Sequence, residues 1–209
     1  YKKFPSFRKC YKFNFTNSKK LIHNSFNRGC TKFLIIGTKK EQLFRNFKVT
    51  KKKIERYKKK PDYIYAFTKA IFSNYCKIFS LKKNIKIRII RLYHVYGGNE
   101  KKTRLWPSLI RAGFQNSNFE MSQGIQKTDF NYIDDVVNGL IKTLNFNIKG
   151  KNFPQTWDMG SGKSMSIKNF AKLVWTATKS EGKLIFSKKK IFDRNNYKIK
   201  KKNLWKINY

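Results

Sequence analysis

Between Tyr65 and Leu81 the run YAFTKAIFSNYCKIFSL places Ala66, Ala70, Ile71, Tyr75, Ile78 and Phe79 at helical steps, which predicts a helix with one buried stripe. Upstream, NFTNSKKLIHNSFNRG from Asn14 carries Leu21, Ile22 and Phe26 at the same period, with Gly29 as its stop. KFLIIGT follows at once, a short apolar run of the kind that makes a buried parallel strand, so helix and strand form half of a βαβ unit. Residues 39–60 are polar and lysine-rich and predict a solvated connection, and Pro61 precedes the Tyr65 helix. IKIRIIRL, from Ile85, alternates apolar with basic residues before turning more apolar, which suits a second strand. It ends in YHVYGG, whose glycines permit a tight turn at the carboxyl edge of a sheet.

Beyond Gly98 the elements shorten. TRLWPSLIRAG predicts a helix with Pro107 near its start and Gly113 as stop, and FEMSQGIQKTDFNYI predicts two strands around Gly124. Asp134 is placed to cap a helix whose apolar face would be Val136, Val137, Leu140, Ile141 and Leu144. Capping explains Asp134 and Asp135 better than catalysis does. QTWDMGSG reads as a strand running into a glycine turn, Ser166 as the cap of IKNFAKLVWTAT, and KLIF as a last strand. Residues 1–10 and the basic tail from Lys188 have no clear period, and no internal repeat is present.

The 209 residues suffice for one core and a small second one. Forty-nine Lys and Arg against eleven Asp and Glu give a net charge of +38, which ordinarily points to nucleic acid or another polyanion. The excess is mostly lysine, is spread over every segment, and travels with abundant Asn, Ile, Phe and Tyr, the pattern of an A- and T-rich coding sequence. Nucleic acid is therefore expected to bind through non-specific charge only. Cys10, Cys30 and Cys76 show no metal-ligand spacing, so no metal site is expected, and reduced thiols fit a cytoplasmic protein. No apolar run approaches the roughly eighteen residues of a membrane span.

The chemistry concentrates at Tyr65 and Lys69. One helical turn apart, they project from the same face. A neighbouring ammonium favours phenolate and lowers a tyrosine's pKa, so the pair predicts a general base for an alcohol or sugar hydroxyl. A surface lysine beside a half-buried tyrosine has the same spacing, and the pair alone does not decide between them.

Five motifs in order do more: Gly37–Thr38, Tyr65-x-x-x-Lys69, RLYHVYGG from Arg91, GIQKTDFNYIDDVV from Gly124 and MGSGKSMSIKNFAKLV from Met159. Together, over about residues 11–186, they resemble the extended short-chain dehydrogenase/reductases, within them the NAD-dependent epimerase/dehydratase group acting on nucleotide sugars. The resemblance is nearest to 4-ketoreductases of the CDP-abequose synthase type. It implies an α/β fold: the C-terminal half of a Rossmann-type parallel sheet over residues 1–94, and a smaller α/β substrate-binding lobe over 95–209 into which family elements interleave. It also implies a cofactor, NAD or NADP, a nucleotide-sugar substrate and a homodimer formed through the Tyr65 helix.

Residue by residue, the resemblance implies Tyr65 as catalytic acid/base and Lys69 as its partner, which also binds the nicotinamide ribose. Thr38 would hydrogen-bond the reacting oxygen. Asn14 and Tyr93 would lie at the cofactor and His94 at the substrate, while Lys127 would meet the nucleotide phosphates.

The departures matter as much. No G-x-x-G-x-x-G loop is present, and residues 1–13 cannot supply one, so either that half lies outside this chain or the protein is a remnant. Weak or no cofactor binding is expected of this chain alone. Lys39 and Lys40 stand where 4,6-dehydratases carry Asp-Glu, which argues against dehydration. His94 replaces an Asn, Gly98 a Pro, and Thr128 an Arg that grips phosphate bidentately. The leading expectation is an NAD(P)-dependent nucleotide-sugar epimerase or 4-ketoreductase. The alternatives are a non-catalytic remnant of the same family and a basic polyanion-binding protein.

Overall fold

The computed structural model describes residues 6–44, 61–146, 153–187 and 204–206. The chain divides into two compact units, residues 1–92 with 146–158, and residues 93–145 with 159–209.

The first unit begins with α1 (Phe7–Tyr11), capped by the Ser6 hydroxyl. A wider π-helical turn (Lys12–Asn17) and α2 (Ser18–Asn27) continue it. Helix thus starts seven residues before Asn14, in a stretch with no readable period. Gly29 ends it at a φ of +88°, a conformation glycine adopts without strain. β1 (Lys32–Thr38) pairs in parallel with β2 (Lys86–Leu92), from Lys32 opposite Lys86 to Thr38 opposite Leu92. β7 (Gln155–Gly160) follows β2 in the order of the sheet. The expected α/β architecture with parallel strands is therefore present.

β2 is buried on both faces, so its arginines are interior rather than solvated. Arg88 donates to the Gln155 side-chain oxygen at 3.1 and 3.2 Å and to the Phe146 carbonyl at 2.7 Å, and lies 4.4 Å from the Trp157 ring centre. Arg91 forms an ion pair with Asp158 at 2.6 Å.

α3 (Pro61–Lys83) packs on this sheet. Its buried apolar positions are Ile64, Ala66, Phe67, Ala70, Phe72, Cys76 and Phe79, a broader set than the predicted stripe, and Ile78 is 56% exposed. The breadth has a cause. Phe72, Cys76 and Phe79 meet Ile22 of α2 and the β2 isoleucines in one cluster, while Ala66, Phe67 and Ala70 meet Phe44 and Phe7 in another. Each buried large side chain contributes about 1.5–3 kcal/mol of transfer free energy.

The lysine-rich connection is only partly as expected. Lys39–Phe44 form a 3-10 turn in which Glu41 and Phe44 are buried, and residues 45–60 lie outside the described residues.

In the second unit, β3 (His94–Tyr96) pairs in parallel with β6 (Phe130–Tyr132). β4 (Phe119–Met121) pairs in parallel with β9 (Leu184–Phe186), and β5 (Lys127–Thr128) antiparallel with β8 (Met165–Ser166). Three strands therefore replace the two expected around Gly124. α4 (Leu105–Phe114) and α6 (Ile167–Ala177) sandwich a core in which Phe130 and Phe170 stack at 3.9 Å. Gly113 lies inside α4, not at its stop: a Cβ there would sit 2.3 Å from the Thr178 hydroxyl, so glycine lets the helix approach Thr178. The Ser166 cap is as predicted, its Oγ accepting the Asn169 N–H at 3.1 Å. In α5 (Ile133–Asn145), Asp134 and Asp135 occupy the first turn itself. Val136 is buried, whereas Val137, Ile141 and Leu144 face solvent. β10 (Leu204–Lys206) is a further short strand in the basic tail, whose other residues from Lys188 lie outside the described set.

Candidate active site

Thr38 ends β1, and the chain turns there into Lys39–Phe44. The turn is closed by a capping box. Thr38 Oγ1 accepts the Lys40 N–H at 3.5 Å, and the Glu41 carboxylate accepts the Thr38 N–H at 2.9 Å. Accepting that long contact leaves the Thr38 hydroxyl proton available to another oxygen.

α3 brings its polar residues to the same end of β1. Lys69 donates from Nζ to the Ile36 carbonyl at 2.6 Å, two residues before Thr38. One turn further along α3, Ser73 Oγ donates to the second Glu41 oxygen at 2.8 Å. Gly37 makes this closeness possible, since a Cβ there would lie 2.7 Å from Glu41 Oε1 and 3.1 Å from Arg91 Cγ. Asn14, in the π-helical turn, donates to the Thr68 hydroxyl at 3.0 Å, and Thr68 in turn donates to the Ile64 and Tyr65 carbonyls. Four of the seven residues singled out from the sequence, Thr38, Tyr65, Lys69 and Asn14, therefore gather on α3 and what packs against it.

Tyr93, His94 and Lys127 lie in the second unit. Tyr93 is buried. His94 packs edge-on against Phe130 at 4.9 Å, and its backbone N–H donates to the Asp129 carbonyl. Lys127 is exposed on β5, opposite Ser166. Asp129 accepts the Ser161 hydroxyl at 2.7 Å and the Gly162 N–H at 2.8 Å, holding the glycine turn after β7. Asp129 and the Asn131 beside it thus act as structural fasteners.

The electrostatics of Tyr65 differ from the sequence expectation. Tyr65 is 43% exposed, yet burial of the rest of the side chain, with Glu41 adding negative charge, raises its pKa above the ordinary value. Lys69 does not pull the phenol down in this chain: its own pKa is lowered by burial, with Glu41 and Cys76 opposing. Burial also raises Glu41, against hydrogen bonds from Thr38 and Ser73 and the charges of Lys69 and Arg91. At neutral pH Tyr65 thus keeps its proton.

Sequence reasoning missed Glu41, Gln42, Arg91 and Asp158. Asp158 is fully buried and accepts from Arg91 Nε at 2.6 Å and from Gln42 Nε2 at 3.1 Å. The Thr38-x-x-Glu41 spacing is the one readable signal among them, and the lysines around it obscured it. Among the described residues no cluster of His, Cys, Asp and Glu can hold a metal ion, and no helix is long and apolar enough to cross a membrane.

Comparison with known proteins bears on the family and the fold. A CDP-abequose synthase of Salmonella muenchen is 32% identical over 95 residues, 46% of this chain and 32% of the relative. An uncharacterised UDP-glucose epimerase of Bacillus subtilis is 26% identical over 126 residues, 60% of this chain and 39% of the relative. The chain thus spans roughly a third of the length of these curated relatives. Among solved structures, a UDP-glucose 4-epimerase of Thermotoga maritima shares the fold with a TM-score of 0.69 at 20% identity, covering 86% of this chain and 57% of that one. The model of the NAD dependent epimerase/dehydratase family matches residues 6–160, a span that takes in the Tyr65–Lys69 helix, the Thr38 turn and the sheet beneath them. With the family model matching well over half of its residues, the chain belongs to the NAD-dependent epimerase/dehydratase family.

Proposed function

We propose that this chain carries the acid/base and substrate-positioning part of an NAD(P)-dependent nucleotide-sugar 4-ketoreductase or epimerase. The observation that carries the reading is the docking of Lys69 on the Ile36 carbonyl, which sets the Tyr65 helix against the strand end that presents Thr38.

The residues present fit the nicotinamide-ribose end of the cofactor. Lys69 spends one of its three N–H donors on Ile36 and keeps two, enough for a vicinal diol. Residues for the pyrophosphate end are not evident, because no G-x-x-G-x-x-G run occurs in the sequence. When bound, the nicotinamide supplies the hydride donor or acceptor. Everything else falls to side chains. Thr38 Oγ1 donates to the sugar oxygen and holds it, and Tyr65 Oη passes its proton to that oxygen as a carbonyl becomes an alcohol, or takes it back in the reverse direction. A phenol held protonated at neutral pH suits the reductive direction. Dehydration lacks its acid/base pair, since Lys39 and Lys40 follow Thr38. The Tyr93, His94 and Lys127 roles at nicotinamide, sugar and phosphate belong to the same proposal, as does dimerisation through α3.

The test is turnover with NAD(H) or NADP(H) and a panel of CDP-, UDP- and dTDP-linked hexoses and 4-ketohexoses, comparing the protein with Tyr65→Phe. Loss of activity in the variant supports the reading. A protein inert on the whole panel, with steeply salt-dependent binding to unrelated nucleic acid, overturns it in favour of a basic, non-catalytic remnant.

A further inference from the structure

Glu41 is buried to 6% exposure although it stands in a run of lysines, and a capping box alone does not require that. An ordinary capping glutamate sits in water. This one turns inward, and its two oxygens serve different elements: Oε1 takes the Thr38 N–H at the end of β1, and Oε2 takes the Ser73 hydroxyl on α3. Gly37 is bare where a Cβ would strike that carboxylate. The charged and titratable groups around it are Tyr65, Lys69 and Cys76 from α3 and Arg91 from β2, the last paired with Asp158 of β7.

We infer that Glu41 is a positioning residue for the Thr38–Tyr65–Lys69 group, its carboxylate strapping the end of β1 to α3 and bringing negative charge to the tyrosine-lysine pair. The inference rests on the reading of that group as the acid/base site. Two jobs follow. The strap fixes Thr38 relative to the helix that carries Tyr65, so the hydroxyl and the phenol keep one separation. The charge strengthens proton retention by Tyr65 and opposes the loss of the Lys69 proton that burial favours.

Two substitutions separate these jobs. In Glu41→Gln the amide oxygen still accepts the Thr38 N–H and the NH2 group can donate to Ser73 Oγ, so the strap remains and the charge goes. In Glu41→Ala both go. The readouts, on the whole chain, are hydrogen exchange at the Thr38 amide and the pH at which the Tyr65 Cζ carbon resonance, assigned with Tyr65→Phe, begins to move. Tyr75 is the internal reference, because Glu41 reaches it only indirectly, through Cys76.

The expected result is a Thr38 amide that exchanges about tenfold faster in Glu41→Ala but near the parent rate in Glu41→Gln. Tyr65 should begin to titrate at lower pH in Glu41→Gln, whereas Tyr75, reached only through Cys76, should show no downward shift. A Tyr65 titration unmoved in Glu41→Gln overturns the inference, as does a Thr38 amide equally protected in Glu41→Ala. If Glu41→Ala fails to fold, Glu41→Gln alone decides through the Tyr65 resonance. Should these shifts appear while Tyr65→Phe matches the parent in the turnover panel, the enzyme reading fails and the strap stands.

Discussion

Replacing Asp158 with alanine removes the partner of an arginine that has no route to water. Arg91 and Asp158 are 5% and 0% exposed, and their 2.6 Å contact joins β2 to β7. Arg91 already keeps one guanidinium nitrogen, Nη2, without a hydrogen-bond partner among the described residues. In the variant the remaining charge is buried and uncompensated, and Gln42 loses the acceptor that anchors the turn after Thr38. Breaking a buried ion pair from one side costs about 3–5 kcal/mol. Urea unfolding followed by far-ultraviolet circular dichroism measures it: with a slope of about 2 kcal/mol per molar, the midpoint falls by about 2 M. The double change Arg91→Met with Asp158→Leu removes both charges and is expected to recover most of that loss. A midpoint for Asp158→Ala within about 0.3 M of the parent would refute the reasoning, and so would a double variant no better than the single one.

Two further perturbations probe the same region. Gly37→Ala places a methyl group 2.7 Å from an oxygen of Glu41, which two hydrogen bonds hold in place, so a loss of about 1–3 kcal/mol in urea unfolding is expected. Among the cysteines, Cys30 is exposed while Cys10 and Cys76 are buried, so iodoacetamide under native conditions should modify Cys30 alone by mass spectrometry. Burial pushes the Cys76 thiol up to about 12, and that has a thermodynamic consequence. A folded-state value above the unfolded one means the native thiol holds its proton longer, so this contribution to stability is intact below about pH 8.5 and is lost as pH rises toward 12. Cys76→Ser should therefore flatten the alkaline fall of the melting temperature.

Some of this architecture was legible because its causes are local. The apolar period around Tyr65, the run KFLIIGT, the Gly29 stop and the Ser166 cap depend on neighbours a few residues away, and the structure carries each as an element. The strand expected to be buried is only half so: β1 lies at the edge of its sheet among the described residues, and Ile36 is exposed. What stayed hidden depends on distant partners. Arg88 and Arg91 read only as basic positions along β2, yet residues 67 positions later, Gln155 and Asp158, draw them inside. Glu41 was lost among lysines because its burial requires Ser73, 32 positions away. The downward shift expected for Tyr65 considered only the lysine one turn along. The carboxylate that folding brings from the β1 turn has the opposite sign and wins together with burial. On α5 the periodicity located the helix but overstated its buried face, since period alone cannot say how much of a stripe a neighbour covers.

The most direct measurement of the central claim is a nuclear magnetic resonance titration of the chain with NADH at millimolar concentration, beside ADP, which carries the charged diphosphate but neither the nicotinamide nor its ribose. The account predicts shifts at Tyr65, Lys69, Thr38 and Asn14 that NADH produces, ADP does not, and Lys69→Ala abolishes. Equal responses to both compounds, scattered over surface lysines and erased by salt, would contradict it.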